Sequence, residues 1–443
     1  MIVVDLFSGA GGLTEGFKNE DFEIVAHIEK EKWACETLKT RSTYHYLRKL
    51  GDLKCYNEYI FNSNSYLNLD NDRRKYFYKR YPELEQILDY EVLNLVFGDP
   101  KVDLNATSIT SIIERIEESL LFRKVNKVDV IIGGPPCQAY SVIGRGRMGV
   151  AVEADKRNFL FYYYRDIVEH FRPEVFVFEN VPGIFSARNG SIFQSIKMEF
   201  DRIGYELLAG RKEVDTENIL DSKDYGVCQS RKRVILFGFR KGRGYQYPEL
   251  HKHIVLENDN TTTRNAIEDL IPLKPGEGDD FRIEKYRSND GLSSFQKLMR
   301  SNSEGIINHK ARNHMKRDLI IYKKVIRKAS KGLQLKYREL PEELKTHKNQ
   351  RNFEDRFKVH WWDETPHTIV AHISKDGHYN IHPDINQCRS LTVREAARIQ
   401  SFPDNYRFEG PRTWQYVQVG NAVPPLFAQV IARAVKEVLG KNN

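Results

Sequence analysis

The first 240 residues alternate between two kinds of text, and this restricts the fold more than any other feature. Short apolar runs stop at glycine-rich or proline-bounded turns, and segments with helical spacing separate them. "MIVVDLF" ends at "SGAGG", and "GLTEGFKN" then has helical spacing. "FEIVAHIE" and "KWACETLKT" repeat the pair. "KVDVIIGG" is a strand halted by glycines, and "NFLFYYYRDIVEHF" is helical up to Pro173. "VFVFEN" and "RVILFGF" add two strands. Runs that are apolar throughout suit strands covered on both faces, and strand–helix alternation builds a parallel sheet. The predicted class is α/β, with a doubly wound, mostly parallel sheet.

Two stretches break the rhythm. Residues 44–94 are rich in Tyr, Lys and Asn, have no sheet pattern, and read as an insertion. Residues 241–390 are polar, basic and irregular, with punctuation at "KPGEGDD", and read as a second, smaller domain. From residue 391 onward the text is helical again, and "PPLFAQVIARAVKEVL" forms an amphipathic helix that can return to the first domain. A chain of 443 residues exceeds one ordinary core, which agrees with more than one domain.

Apolar residues make up 40% of the chain, enough for a packed core. No run approaches the roughly 18 apolar residues that span a bilayer. "MIVVDLFSGAGG" lacks a basic-then-apolar leader pattern, so the expectation is a soluble, cytoplasmic protein. The five cysteines, Cys35, Cys55, Cys137, Cys228 and Cys388, are scattered without C-x-x-C spacing. That argues against a disulfide framework and a thiolate zinc site. Net charge is +8, and residues 281–360 carry 21 Lys and Arg against 9 Asp and Glu. Such a local excess is either a solvated face or a footprint for a polyanion.

Several residues sit where parallel sheets bind ligands, at the carboxyl ends of strands. The loop "DLFSGAGGLTEGF" opens a helix, so its glycines and free N–H groups allow a ligand to approach the backbone. Glu29 ends the next strand at the distance from that loop where an acidic residue binds ribose hydroxyls. With Asp5 and Phe7 the set favours an adenosine-bearing cofactor over a mere turn. Cys137 follows the stiff corner "GGPP". It is either a small buried hydrophobe or a positioned nucleophile. Glu179 in "ENVPG" is either a solvated carboxylate or an acid or hydrogen-bond anchor. In "QSRKR", Arg231 and Arg233 share one strand face and Lys232 takes the other. His378 and His382 would share a strand face, yet no carboxylate or thiolate completes a ligand set, so no metal site is expected.

Six blocks in order, "DLFSGAGGLTEGF", "GGPPCQAYS", "ENVPG", "QSRKR", "RSLTVREAARIQSFP" and "QVGNAVPP", make the chain similar to the cytosine-C5 DNA methyltransferases of the restriction–modification type. The resemblance covers the chain apart from the 44–94 insertion and the variable basic region. It implies a Rossmann-like S-adenosylmethionine-dependent methyltransferase fold with a target-recognition domain at 241–390. It implies that Phe7, Gly9, Gly11, Leu13, Glu29, Asp99, Pro135, Leu160, Asn421 and Ala422 hold S-adenosylmethionine. It implies Cys137 as nucleophile, with Glu179, Arg231 and Arg233 around the cytosine ring. Arg231, Ser141, Arg145 and Arg147 would contact DNA, the last three from the loop "SVIGRGRMG" that closes over it. Two departures stand out. Lys30 follows Glu29 where some relatives have an aromatic, and Cys228 replaces a proline before "Q-x-R-x-R".

The chemistry of these residue types is coherent. Thiolate addition at C6 of a flipped cytosine breaks its aromaticity and makes C5 a nucleophile. Partners implied by the resemblance are double-stranded DNA and, in function, a cognate restriction endonuclease, with a monomeric enzyme. Two alternatives remain at this point: a tRNA cytosine-5 methyltransferase, whose associated "CFT" tripeptide is absent, and a non-catalytic DNA-binding relative.

Overall fold

The structure, a computed structural model, describes residues 1–61, 74–136, 160–210, 218–256, 261–280, 284–287, 290–345 and 354–440. Eight strands build the central sheet among these residues. In chain order they are β1 (Ile2–Leu6), β2 (Glu23–Glu29), β3 (Val92–Asn94), β4 (Val130–Gly133), β5 (Val175–Asn180), β6 (Tyr205–Leu208), β7 (Leu220–Asp221) and β8 (Lys232–Arg240). The spatial order is β3-β2-β1-β4-β5-β8-β6, with β7 paired to the start of β8. The strands from β3 to β5 are mutually parallel. β8 runs antiparallel between β5 and β6. The predicted α/β class with a mostly parallel sheet is what the chain adopts.

Both faces of the sheet are covered, as apolar runs demand. Alternation sends Val3, Val130, Val175, Ile235 and Phe237 to one face, where the helices Gly12–Asn19 and Pro425–Gly440 pack. Val4, Ile131, Phe176 and Phe178 point to the other, against the helices Ile109–Phe122, Leu160–Phe171 and Ser191–Arg202. Each fully buried side chain of this size contributes about 1.5–3 kcal/mol relative to exposure. The helix Pro425–Gly440 packs against the helix Gly12–Asn19. Its backbone lies so close to Gly16 that a Cβ there would meet Ala428 C at 2.3 Å.

Order reverses between β1 and β4. β2 and β3 extend to one side of β1, and β4 and β5 to the other. This is the topological switch point, where the carboxyl ends of two neighbouring strands diverge and leave a crevice.

The sequence-based reading needs correction in the 44–94 stretch. The helix Lys32–Lys49 runs on into it, and further helices follow at Leu53–Phe61, Lys75–Tyr78 and Glu83–Glu91. The stretch ends in β3, a strand of the main sheet. Three residues are too few for a periodicity signal. His378 and His382 do not lie on a strand face either. Each is buried in irregular chain, His378 accepting or donating with Tyr322 Oη at 2.7 Å and His382 accepting from the Asp384 N–H. Among the described residues no three His, Cys, Asp or Glu side chains are grouped to hold a metal ion, and no helix is long and apolar enough to cross a membrane.

The basic region has two kinds of packing. Tyr247, Leu250, Ile267, Phe295 and Ile306 join the core on the sheet. A separate core forms around Ile321, Tyr322, Val325, Leu335, Phe357 and Cys388, built on the helix Lys316–Ala329. Buried ion pairs join both parts of the region to the C-terminal segment. Arg398 bonds both Asp404 and Asp269, the latter at 3.1 Å, and Arg389 reaches Glu395 at 2.7 Å. Breaking one partner of such a pair strands a buried charge at a cost of about 3–5 kcal/mol.

Candidate active site

The first wall of the crevice begins where β1 ends. Phe7 has φ 58°, an uncommon conformation for a residue with a Cβ, and it turns the chain away from the sheet. The loop is then pinned from below. Thr14 donates to a carboxylate oxygen of Asp5, and Ser8 Oγ donates to the Asp5 carbonyl at 2.9 Å. Gly9, at φ 53°, has open space where a Cβ would stand. Gly12 does not: a Cβ there would meet the Val423 carbonyl at 2.1 Å and Ala422 Cβ at 3.2 Å. That contact brings Ala422 and Val423, just past the end of the helix Arg412–Asn421, against the loop. Leu13 turns its side chain into the core, so its contribution to a ligand is its backbone N–H in the first helical turn.

Glu29, the last residue of β2, faces the same space. One carboxylate oxygen accepts from Gly9 N–H and the other from Glu31 N–H, both at 2.8 Å. Burial raises its pKa. A buried carboxylate held rigid at a switch point, beside an open glycine, is a suitable acceptor for ligand hydroxyls.

An aromatic line closes the far side. The Phe7 and Phe97 rings lie 4.7 Å apart, and Phe97 and Tyr163 lie 5.8 Å apart. Tyr163 belongs to the helix that Leu160 opens. Asp99 is exposed, accepts from the Lys101 N–H at 2.9 Å, and its charge adds to burial in raising the Tyr163 pKa. Phe7, Phe97, Tyr163 and Asp99 are thus brought to one side, and Leu160 opens the helix that carries Tyr163. Phe97 was missed from sequence, although it follows an apolar run in "NLVFGDP".

The second wall starts where β4 ends at Gly133. Pro135 is buried, and its carbonyl accepts from Asn180 Nδ2 at 3.5 Å. On the neighbouring strand β5, Glu179 lies over Gly134, so that a Cβ on Gly134 would come within 2.7 Å of Glu179 Oε2. Arg233 Nε lies 2.7 Å from Glu179 Oε1, and both side chains are only partly exposed. The pairing is a consequence of register, because Glu179 stands opposite Ile235 across the β5–β8 ladder. Lys232 is exposed while Arg231 and Arg233 are not, as alternation predicts.

Arg231 is placed differently from its neighbour. It is 2% exposed, and its guanidinium donates to the carbonyls of Ile369 at 2.7 Å and Gly420 at 3.1 Å. Burial and Arg233 lower its pKa. In this arrangement it is not presented to a phosphate.

Cys137, Ser141, Arg145 and Arg147 lie outside the described residues; the chain is described up to Pro136, one residue short of the cysteine. The four described cysteines are all buried. Burial pushes the Cys35 thiol up to about 12 and raises those of Cys55, Cys228 and Cys388. None is a ready thiolate at neutral pH. Cys228, the departure from the expected proline, is simply a core residue.

With this geometry in place, comparison with known proteins is informative. The family model for C-5 cytosine-specific DNA methylases matches residues 1–58 and 102–437, leaving out most of the 44–94 stretch. A Type II methyltransferase of Bacillus paralicheniformis, M.Bpa9945I, is 57% identical over the full length of both chains. M.DdeI, a Type II methyltransferase of Desulfomicrobium norvegicum, is 30% identical over 98% of this chain and 88% of its own. Among solved structures, one described as a DNA modification methyltransferase encoded within a prophage (E. coli) aligns over 99% of both chains with a TM-score of 0.61 at 20% identity. The chain belongs to the C-5 cytosine-specific DNA methylases and is a DNA cytosine-5 methyltransferase.

Proposed function

We propose that this enzyme methylates C5 of a cytosine flipped out of a specific duplex sequence, using S-adenosylmethionine and a covalent Cys137–C6 adduct. The observation that carries the reading is the Glu179–Arg233 pair, seated over Gly134 on the strand-end loop that leads to Cys137. A carboxylate fixed there suits hydrogen bonding to N3 and N4 of a flipped base, and guanidinium donors suit its O2.

S-adenosylmethionine fits the first wall. Gly9 leaves room for it, Glu29 offers its carboxylate to hydroxyls, and Phe7 offers a ring face. Gly11, Leu13, Asp99, Pro135, Leu160, Asn421 and Ala422 complete the set. When bound it supplies an electrophilic methyl group. The Cys137 thiolate adds to C6, and the electron pair of the C5–C6 bond moves to C5. Glu179 and Arg233 stabilise the charge that develops on the ring. C5 takes the methyl as the S–CH3 bond breaks and S-adenosylhomocysteine is left, a base removes the C5 proton, and the Cys137–C6 bond breaks as the double bond re-forms.

DNA binding is supported by one face of the helix Lys316–Ala329 and its extension. Lys316, Lys323, Lys324, Arg327 and Lys331 are exposed there and have no ion-pair partner among the described residues. They suit the phosphate backbone. The Type II relatives suggest a protective role beside a cognate restriction endonuclease, with the enzyme acting as a monomer in the cytoplasm.

The test is transfer of a labelled methyl group from S-adenosylmethionine to duplex DNA and to tRNA. The proposal expects label in 5-methylcytosine from DNA alone. Label in tRNA and not in DNA overturns it.

A further inference from the structure

We infer that Arg231 is a positioning residue, which with Gln229 clamps the recognition region and the methyl-donor wall to the strand that carries Arg233. The inference rests on the methyltransferase reading above and assigns Arg231 a role other than phosphate contact.

The clamp holds both backbone groups of one residue, Ile369. Gln229 Oε1 accepts from the Ile369 N–H at 2.6 Å, and Arg231 donates to the Ile369 carbonyl at 2.7 Å. The flanking residues add to it. Ser230 N–H donates to the Pro366 carbonyl at 2.9 Å, and Thr368 Oγ1 donates to the Ser230 carbonyl at 2.7 Å. Residues 366–369 therefore run beside 229–231 as a strand partner would, with side chains taking part in three of these four bonds.

The second jaw closes on the cofactor side. Arg231 donates to the Gly420 carbonyl at 3.1 Å. Gln229 Nε2 donates to Gln400 Oε1, and Gln400 Nε2 to the Val419 carbonyl, each at 2.9 Å. The backbones here touch, because a Cβ on Gly420 would lie 2.4 Å from the Val370 carbonyl carbon. Ala422 and Val423 follow closely in sequence and press on the glycine loop at Gly12. Two residues beyond Arg231, Arg233 holds Glu179.

Three parts of the site thus meet at one buried guanidinium: residues 366–369 of the recognition region, the Gly420–Ala422 wall, and the Glu179–Arg233 pair. Both donated bonds go to neutral carbonyls in a dry setting, where an unmade bond is costly. Arg231 is 2% exposed, so a phosphate has no path to it in this arrangement.

The experiment compares the full-length wild type with Arg231→Met, Arg231→Lys and Gln229→Met. It reads single-turnover methylation, the dissociation constant of S-adenosylhomocysteine, and the slope of log DNA affinity against log salt. Arg231→Met is expected to lose roughly 100-fold in rate and weaken S-adenosylhomocysteine roughly 10-fold, with the salt slope unchanged. Misplacing reacting groups by an ångström has effects of this order. Lysine should restore part of the rate, and Gln229→Met should shift rate and cofactor affinity in the same directions by less. A salt slope smaller by about 0.9 with cofactor affinity intact marks a phosphate contact and overturns the inference. Should Arg231→Met fail to fold by its thermal melt, Gln229→Met decides: wild-type rate and cofactor affinity in that variant overturn it. Absence of methyl transfer by the wild type counts instead against the reading beneath it.

Discussion

Glu179 Oε1 lies 2.7 Å from Arg233 Nε, while its Oε2 lies over Gly134. The two neighbours come from different strands. Arg233 is carried by the antiparallel β8, and Gly134 by the end of β4. The sheet register therefore sets the orientation of the carboxylate, with little left to the rotamer. This matters because preorganised polar groups avoid reorganisation when charge develops on a substrate.

Gly134→Ala tests that seating. Its Cβ would need the space within 2.7 Å of Glu179 Oε2. The expected result is a fall in single-turnover methylation of about 100-fold, the scale of an ångström's misplacement. Binding of S-adenosylhomocysteine should change little, and stopped-assay kinetics with calorimetry separate the two effects.

Gly9→Ala tests the other wall. The protein itself leaves the space open, so strain at φ 53° is the main cost to folding, roughly 1–2 kcal/mol. The methyl group would occupy room assigned to the cofactor. Calorimetry should show cofactor affinity weakened by tenfold or more, on the order of 1.4 kcal/mol, while the variant still melts cooperatively.

Thermal stability of the ligand-free enzyme should rise from pH 5 to pH 7. Burial lowers the pKa of His45, His314 and His360 to about 4 and that of His382 to about 3. Below the ordinary value near 6.5, the unfolded chain binds protons at these positions and the folded chain does not, so stability is lost as pH falls. His27, raised by its bonds to Asp5 and Glu91 against the effect of burial, acts in the opposite sense. It supports the fold below pH 6.5 and loses that support as pH rises through its folded pKa. Four groups outweigh one. A second decline is expected below pH 4, because Glu15, paired with Arg41, is held below the usual range and must be protonated on unfolding. Scanning calorimetry across this range checks the sign.

The double substitution Lys324→Ala with Arg327→Ala should weaken DNA binding and leave the single-turnover rate at saturating DNA unchanged. If both side chains meet phosphates, the slope of log affinity against log salt falls by about 1.8. Binding isotherms at several salt concentrations read this directly.

Much of the fold was legible because the strands are apolar on both faces and end at glycine or proline. β5 has the bounds that "VFVFEN" marks, and the first helix coincides with "GLTEGFKN". β3 was not legible, since "VLN" is too short to show a period and follows a helix directly. Its pairing with β2 is a tertiary fact. The candidate site residues could be named from sequence, but not the contacts that they make. Alternation correctly put Arg231 and Arg233 on one side of the strand. Only the fold shows that one reaches Glu179 and the other reaches the carbonyls of Ile369 and Gly420, which lie 138 and 189 residues away.

The most direct test of the central claim uses a duplex carrying 5-fluorocytosine at the target position, incubated with the enzyme and S-adenosylmethionine. Fluorine at C5 cannot leave as a proton does, so the thiolate cannot be expelled after methyl transfer. The account predicts a denaturation-resistant protein–DNA adduct with the wild type and none with Cys137→Ala. An adduct that persists in Cys137→Ala, or no adduct from an enzyme that methylates the unmodified duplex, would contradict it.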